Sequence, residues 1–105
     1  MELYIKSREE WHSWLEENTS TTREVWLIFY KKGSDKPRIP YNDAVEEALC
    51  FGWIDGKIKR INEQFFIQRF TPRRRGSRLS KYNIERVEKL IKEGRMKPAG
   101  LQAFK

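Results

Sequence analysis

The chain has 105 residues, the length of one domain with one modest core, and 38% hydrophobic with 13% aromatic residues argue against disorder over most of it. Its formal net charge of +7 favours an anionic partner such as an anionic small molecule or a nucleic-acid backbone, while a single cysteine and a single histidine exclude an intrachain disulfide, a multi-thiolate metal centre and a histidine-rich metal site. No apolar run approaches the ~18 residues of a membrane span and "MELYIKSREEW" is no secretory leader, so a soluble cytoplasmic protein without metal or cofactor is expected.

The first residues, "ELYI", read as an edge strand. Ser7 followed by Glu10 predicts a helix N-terminus with a capping box, and Trp11, Trp14 and Leu15 fall on one face of that helix. "NTSTT" ends it. "EVWLIFY" is the best strand. Val25, Leu27 and Phe29 alternate with Trp26, Ile28 and Tyr30, and two apolar faces predict a central strand covered on both sides. Asn42 is expected to cap a second helix with Val45, Ala48 and Leu49 buried, and Gly52 to terminate it.

Two strands over 53–61 and 65–71 are expected to form a hairpin, with Phe65 and Ile67 on one face and Phe66 and Phe70 on the other. Pro72 ends the second strand. Ser80 predicts the cap of a third helix whose buried face is Ile84, Val87, Leu90 and Ile91, closed by Gly94. Pro98 suits the first turn of a short fourth helix with Leu101 and Phe104. The class is therefore α+β: a small, mostly antiparallel sheet of three to four strands with about four helices packed on it. One domain over 1–105 is expected. The chain stops within an apolar periodic segment, which reads as a fragment or a short version.

The densest chemistry lies in "RFTPRRRGSRLSKYN". Arginine forks match phosphate or carboxylate, and a helix beginning after Ser80 turns its free N–H groups toward the same loop. Arg73, Arg74 and Arg78 are the expected anion ligands, with Ser80, Lys81 and Asn83 in support and Arg75 solvated. The alternative is a solvated loop whose arginines pair with Glu46, Asp55 or Glu85. In "GWIDG", Asp55 is either a general base or the partner of a hairpin arginine such as Arg69 or Arg73, anchoring the loop, with Trp53 beside it. Tyr41, Asp55 or Cys50 would be the reactive group if the pocket is enzymatic. Cys50 sits on an apolar stripe near a helix C-terminus, which favours a buried, inert thiol. His12 reads as a half-exposed residue with no evident partner. Basic and aromatic residues interleave in "KIKRINEQFFIQRF", as on a single-strand-binding sheet, though core packing explains the same pattern. A third possibility is a protein-interaction module that uses the basic loop. Ligand, reaction and oligomeric state are not legible here.

"EALCFGWIDG", "RFTPRR" and "NIERVEKLIKEGRMKPAGL" together make nearly the whole chain resemble the YdeI/OmpD-associated family, known for a bacteriocin-protection label. That resemblance implies a bacterial or archaeal domain, with further chain at the C-terminus in many members. Leu79 stands where that family usually has Trp, and Asn62 where Asp is common.

Overall fold

A computed structural model describes residues 1–104. The order is β1 (Glu2–Tyr4), α1 (Arg8–Asn18), β2 (Val25–Tyr30), α2 (Tyr41–Cys50), β3 (Trp53–Arg60), β4 (Phe65–Pro72), α3 (Lys81–Lys92) and α4 (Pro98–Ala103). The strands form one sheet in the order β1-β2-β4-β3. β1 runs parallel to β2, and the other two pairings are antiparallel. The α+β class holds, with a mixed, mostly antiparallel sheet. Among the described residues no helix is long and apolar enough to cross a membrane.

Local chemistry explains most element boundaries. The Ser7 hydroxyl accepts the Glu10 N–H at 3.2 Å. Glu10 answers by accepting the Lys6 N–H at 2.7 Å, one residue before the usual capping-box donor. α2 starts earlier than expected. Pro40 occupies the cap without a side-chain bond, and Asn42 lies inside the first turn. The 61–64 turn is held by Asn62 Oδ1, which accepts the N–H groups of Gln64 at 2.7 Å and Phe65 at 3.1 Å. A bulge interrupts the β3–β4 register between Asp55 and Ile58.

β2 lies between β1 and β4 in the sheet, but helices cover only one of its faces. Val25, Leu27 and Phe29 are buried in a common core with Trp11, Leu15, Val45, Leu49, Trp53, Phe70 and Leu90. Trp26, Ile28 and Tyr30, on the opposite face, are only partly buried. Their cover is lateral: Tyr30 packs on Tyr4 at 5.0 Å and on Phe65 at 5.3 Å between ring centroids. The expectation of a doubly covered strand fails because aromatic rings on an open sheet face shield one another. α3 also departs from its expected stripe. Val87 and Leu90 are buried, whereas Ile84 is 46% and Ile91 51% exposed. The helix leans on α2 through a narrower face, and Asn83 takes an inward position.

α4 docks through small residues. Lys97 N–H donates to the Cys50 carbonyl at 2.9 Å. A Cβ on Gly100 would lie 2.2 Å from that same oxygen, so only glycine lets the two backbones approach.

Candidate functional site

Four elements are linked by side-chain hydrogen bonds: the start of α2, the start of β3, the interior of β4 and the N-terminus of α3. Asp55 pairs with Phe70 in the ladder, which places it on the helix side of β3. Its Oδ1 accepts from Asn83 Nδ2 at 2.9 Å, and Oδ2 receives a longer contact of 3.4 Å from the Tyr41 hydroxyl. Gln68 Nε2 donates to the Tyr41 oxygen at 3.2 Å and to the Gly56 carbonyl at 3.1 Å. Asn83 Oδ1 accepts from Arg86 Nη1 at 2.9 Å. Asp55 is thus held from two sides. Beside it opens a cleft of about 210 Å³ lined by Ile54, Asp55, Arg78, Leu79, Ser80 and Asn83.

The arginine loop divides by direction. Arg73 turns inward: Nη1 donates to the Ala103 carbonyl at 2.6 Å and Nη2 to the Ser77 carbonyl at 2.7 Å. Its guanidinium also lies 5.5 Å from the Phe104 ring centroid. Ser77 N–H returns to the Arg74 carbonyl at 3.0 Å, closing a turn in which Gly76 has φ of +82°. A positive φ at that third position alone is the requirement of a type II turn. Arg74, Arg75, Arg78 and Lys81 remain exposed. None of these four forms an ion pair among the described residues, so the expected pairings with Glu46, Asp55 or Glu85 do not occur.

The α3 start is electrostatically unlike its neighbours. α1 carries Glu9 and Glu10 in its first turn and α2 carries Asp43, which complement the positive end of a helix dipole. α3 has no acidic residue there and begins with Lys81. Ser80 Oγ satisfies the Asn83 N–H at 3.1 Å, as a cap should.

The expected Asp55–arginine pair is not formed. Residues 69 and 70 point to opposite faces, so Arg69 emerges on the open side of the sheet and pairs with Glu24 at 2.6 Å. Trp53 is core: its Nε1 donates to Thr19 Oγ1 at 2.7 Å and its ring meets Trp14 edge-on. Of the residues singled out from sequence, Asp55, Arg78, Ser80 and Asn83 share one cleft, and Tyr41 joins through Asp55. Arg74 and Lys81 are exposed close by in the chain, while Arg73, Trp53 and Arg69 point elsewhere.

Gln68 was missed, although alternation already places position 68 on the core face between Phe66 and Phe70, an unusual place for an amide. A second polar cluster was missed too. Glu46 and Glu47 are buried on α2. Arg8 reaches Glu47 at 2.7 Å and Glu46 at 3.1 Å, and Lys89 reaches Glu46 at 3.0 Å. His12 does have a partner: its Nδ1 donates to Glu47 Oε2 at 2.5 Å. This cluster joins α1, α2 and α3 through ion pairs, with the buried Arg8 Nη2 left without a hydrogen-bond partner among the described residues.

Burial and neighbouring charges limit which groups can react. Burial, with a further push from the Glu47 carboxylate, raises the Cys50 thiol to about 11, so a thiolate nucleophile is disfavoured at neutral pH. Burial also raises Tyr41; the Gln68 hydrogen bond opposes this and the Asp55 charge adds to it. Tyr41 is therefore a neutral hydrogen-bond donor.

No curated protein and no solved structure matches the chain. One family does, over residues 3–103, and it is a domain of unknown function, DUF8412. Nothing connects the chain with the YdeI/OmpD-associated family, so that expectation is corrected, and bacteriocin protection and the comparison at Leu79 lose their basis. With the match spanning almost every residue, the chain belongs to the DUF8412 family.

Proposed function

We propose that this domain binds an anionic, phosphate-bearing ligand at the junction of the β4–α3 loop and α3, through Arg74, Arg78 and Lys81. The observation that carries the reading is the charge left unpaired there. Arg8, Lys89 and Arg69 all have carboxylate partners, whereas the exposed basic residues of 74–81 have none among the described residues. They stand at the positive end of a helix without acidic first-turn residues, where a bound anion relieves the repulsion. Ser80 and Asn83 shape the site. Arg73 is reassigned from ligand to clasp, because its fork is engaged by the Ala103 and Ser77 carbonyls.

The test is titration of wild type and Arg74→Ala/Arg78→Ala with inorganic phosphate, a nucleotide panel and a random single-stranded oligonucleotide at two salt concentrations. Selective binding of a small phosphate compound with a shallow salt dependence is the expected result. An oligonucleotide that bound best, with log affinity falling against log salt by about 0.7 per phosphate neutralised, would identify a nucleic-acid backbone as the ligand. Nothing tighter than millimolar, or equal binding by the double variant, would leave the loop a solvated structural feature.

A further inference from the structure

We infer that the ligand of this site is bipartite, a small phosphorylated polyol or sugar whose phosphate meets Arg78 while a hydroxyl donates to Asp55. The inference rests on the anion-binding reading above. Its starting point is a conflict within the cleft. Arg78 and Asp55 line the same space of about 210 Å³. A bare anion that filled it would gain from Arg78 and be repelled by Asp55. A ligand with a charged end and a neutral donor end satisfies both.

Asp55 has capacity for such a donor. A carboxylate offers roughly four lone-pair positions. Asn83 takes one at 2.9 Å, and Tyr41 makes only a 3.4 Å contact with the other oxygen. The group is partly exposed and lines the cleft wall. Its orientation is fixed in turn, because Asn83 also accepts from Arg86 at 2.9 Å. An ammonium would suit the carboxylate alone, but Arg78 lines the same cleft and Arg86 stands behind Asn83, so a second cation is disfavoured. A hydroxyl carries no such penalty. Ile54 and Leu79 supply apolar walls for the C–H faces of a short polyol. The volume lies below the roughly 300–1,000 Å³ of pockets for drug-sized ligands, which argues for a compact ligand.

The decisive comparison is calorimetric titration with inorganic phosphate, n-propyl phosphate, glycerol 3-phosphate and ribose 5-phosphate. The two three-carbon esters carry the same charge and differ in their hydroxyls. Wild type should prefer glycerol 3-phosphate over n-propyl phosphate by about tenfold or more, the worth of one hydrogen bond to a charged acceptor. Asp55→Asn should shrink that ratio, because a neutral acceptor bonds more weakly. Arg78→Ala should weaken both esters by a common factor and preserve the ratio. Equal binding of the two esters, still dependent on Arg78, would overturn the bipartite ligand and leave the anion site intact. No binding of any phosphate would overturn both. The wild-type comparison decides without any variant, so a poorly folded Asp55→Asn protein would not rescue the idea.

Discussion

Gly100→Ala tests the α4 docking most sharply, because two known effects oppose each other. Within a helix, alanine is favoured over glycine by about 1 kcal/mol. Against that, the new Cβ would lie 2.2 Å from the Cys50 oxygen, 2.8 Å from the Cys50 carbonyl carbon and 2.9 Å from the Met96 methyl. The methyl can swing away, but the backbone at the end of α2 cannot. α4 must lift, which breaks the 2.9 Å Lys97–Cys50 bond and pulls the Ala103 carbonyl from Arg73. Losing an ordinary backbone bond costs about 1 kcal/mol, and one to a guanidinium about 1.5–3 kcal/mol. Subtracting the propensity gain leaves a net loss of about 1.5–3 kcal/mol, capped by the free energy of detaching α4 altogether. Thermal unfolding should shift down on the order of 10 °C. Hydrogen exchange should speed first at the Leu101 and Phe104 amides. If Gly100→Ala matches or exceeds wild-type stability, propensity governs this helix and the close backbone contact is not a constraint.

Cys50 should react slowly with a neutral disulfide reagent in the folded protein, at a rate that follows global unfolding, since it is buried and its thiol is pushed up to about 11; fast labelling at neutral pH would contradict this. Burial alone would raise the Glu46 carboxyl, but hydrogen bonds from Lys89 and Arg8 outweigh it and hold the group below its ordinary range. A depressed carboxylate contributes stability above its unfolded pKa and loses it as pH falls through the folded value, so urea midpoints should drop below about pH 4. Glu46→Gln should cost about 2–4 kcal/mol at neutral pH, less than a fully buried pair because Lys89 is half exposed, and should flatten that acid limb. An unchanged acid limb would show the pairing to be idle. Ser80→Ala should cost about 1 kcal/mol by removing the α3 cap, read from the urea midpoint, and no loss would mean that water replaces the hydroxyl.

Short-range chemistry was the legible part. Ser7 and Ser80 announce their helices because a cap needs only a hydroxyl three residues before the amide it serves. The hairpin faces follow from alternation alone. The errors share a cause, which is contact between residues far apart in the chain. Two apolar faces on β2 do not say whether a helix or a neighbouring ring covers them. Asp55 and Arg69 look adjacent across the hairpin, yet the ladder pairs 55 with 70 and sends Arg69 to the other face. Arg73 finds Ala103, and His12 finds Glu47, across separations of 30 and 35 residues that no local pattern encodes. Arg78, Ser80 and Asn83 could be grouped from the sequence because they are neighbours in the chain. Tyr41 and Asp55 were candidates as well, but their joining through Gln68 was not legible, because the three come from separate elements.

The strand order also bears on edge-to-edge pairing between copies of this chain. An unpaired sheet edge is a template for pairing with another molecule. Both edges here are poor templates. β1 offers only three residues. β3 is longer, but it is bulged between Asp55 and Ile58, and Lys57, Lys59 and Arg60 along it are exposed without ion-pair partners among the described residues. Two copies brought edge to edge would oppose these cations and meet a broken register. Unpaired cations are therefore not peculiar to the α3 start: those on β3 would oppose edge-to-edge pairing with no ligand at all.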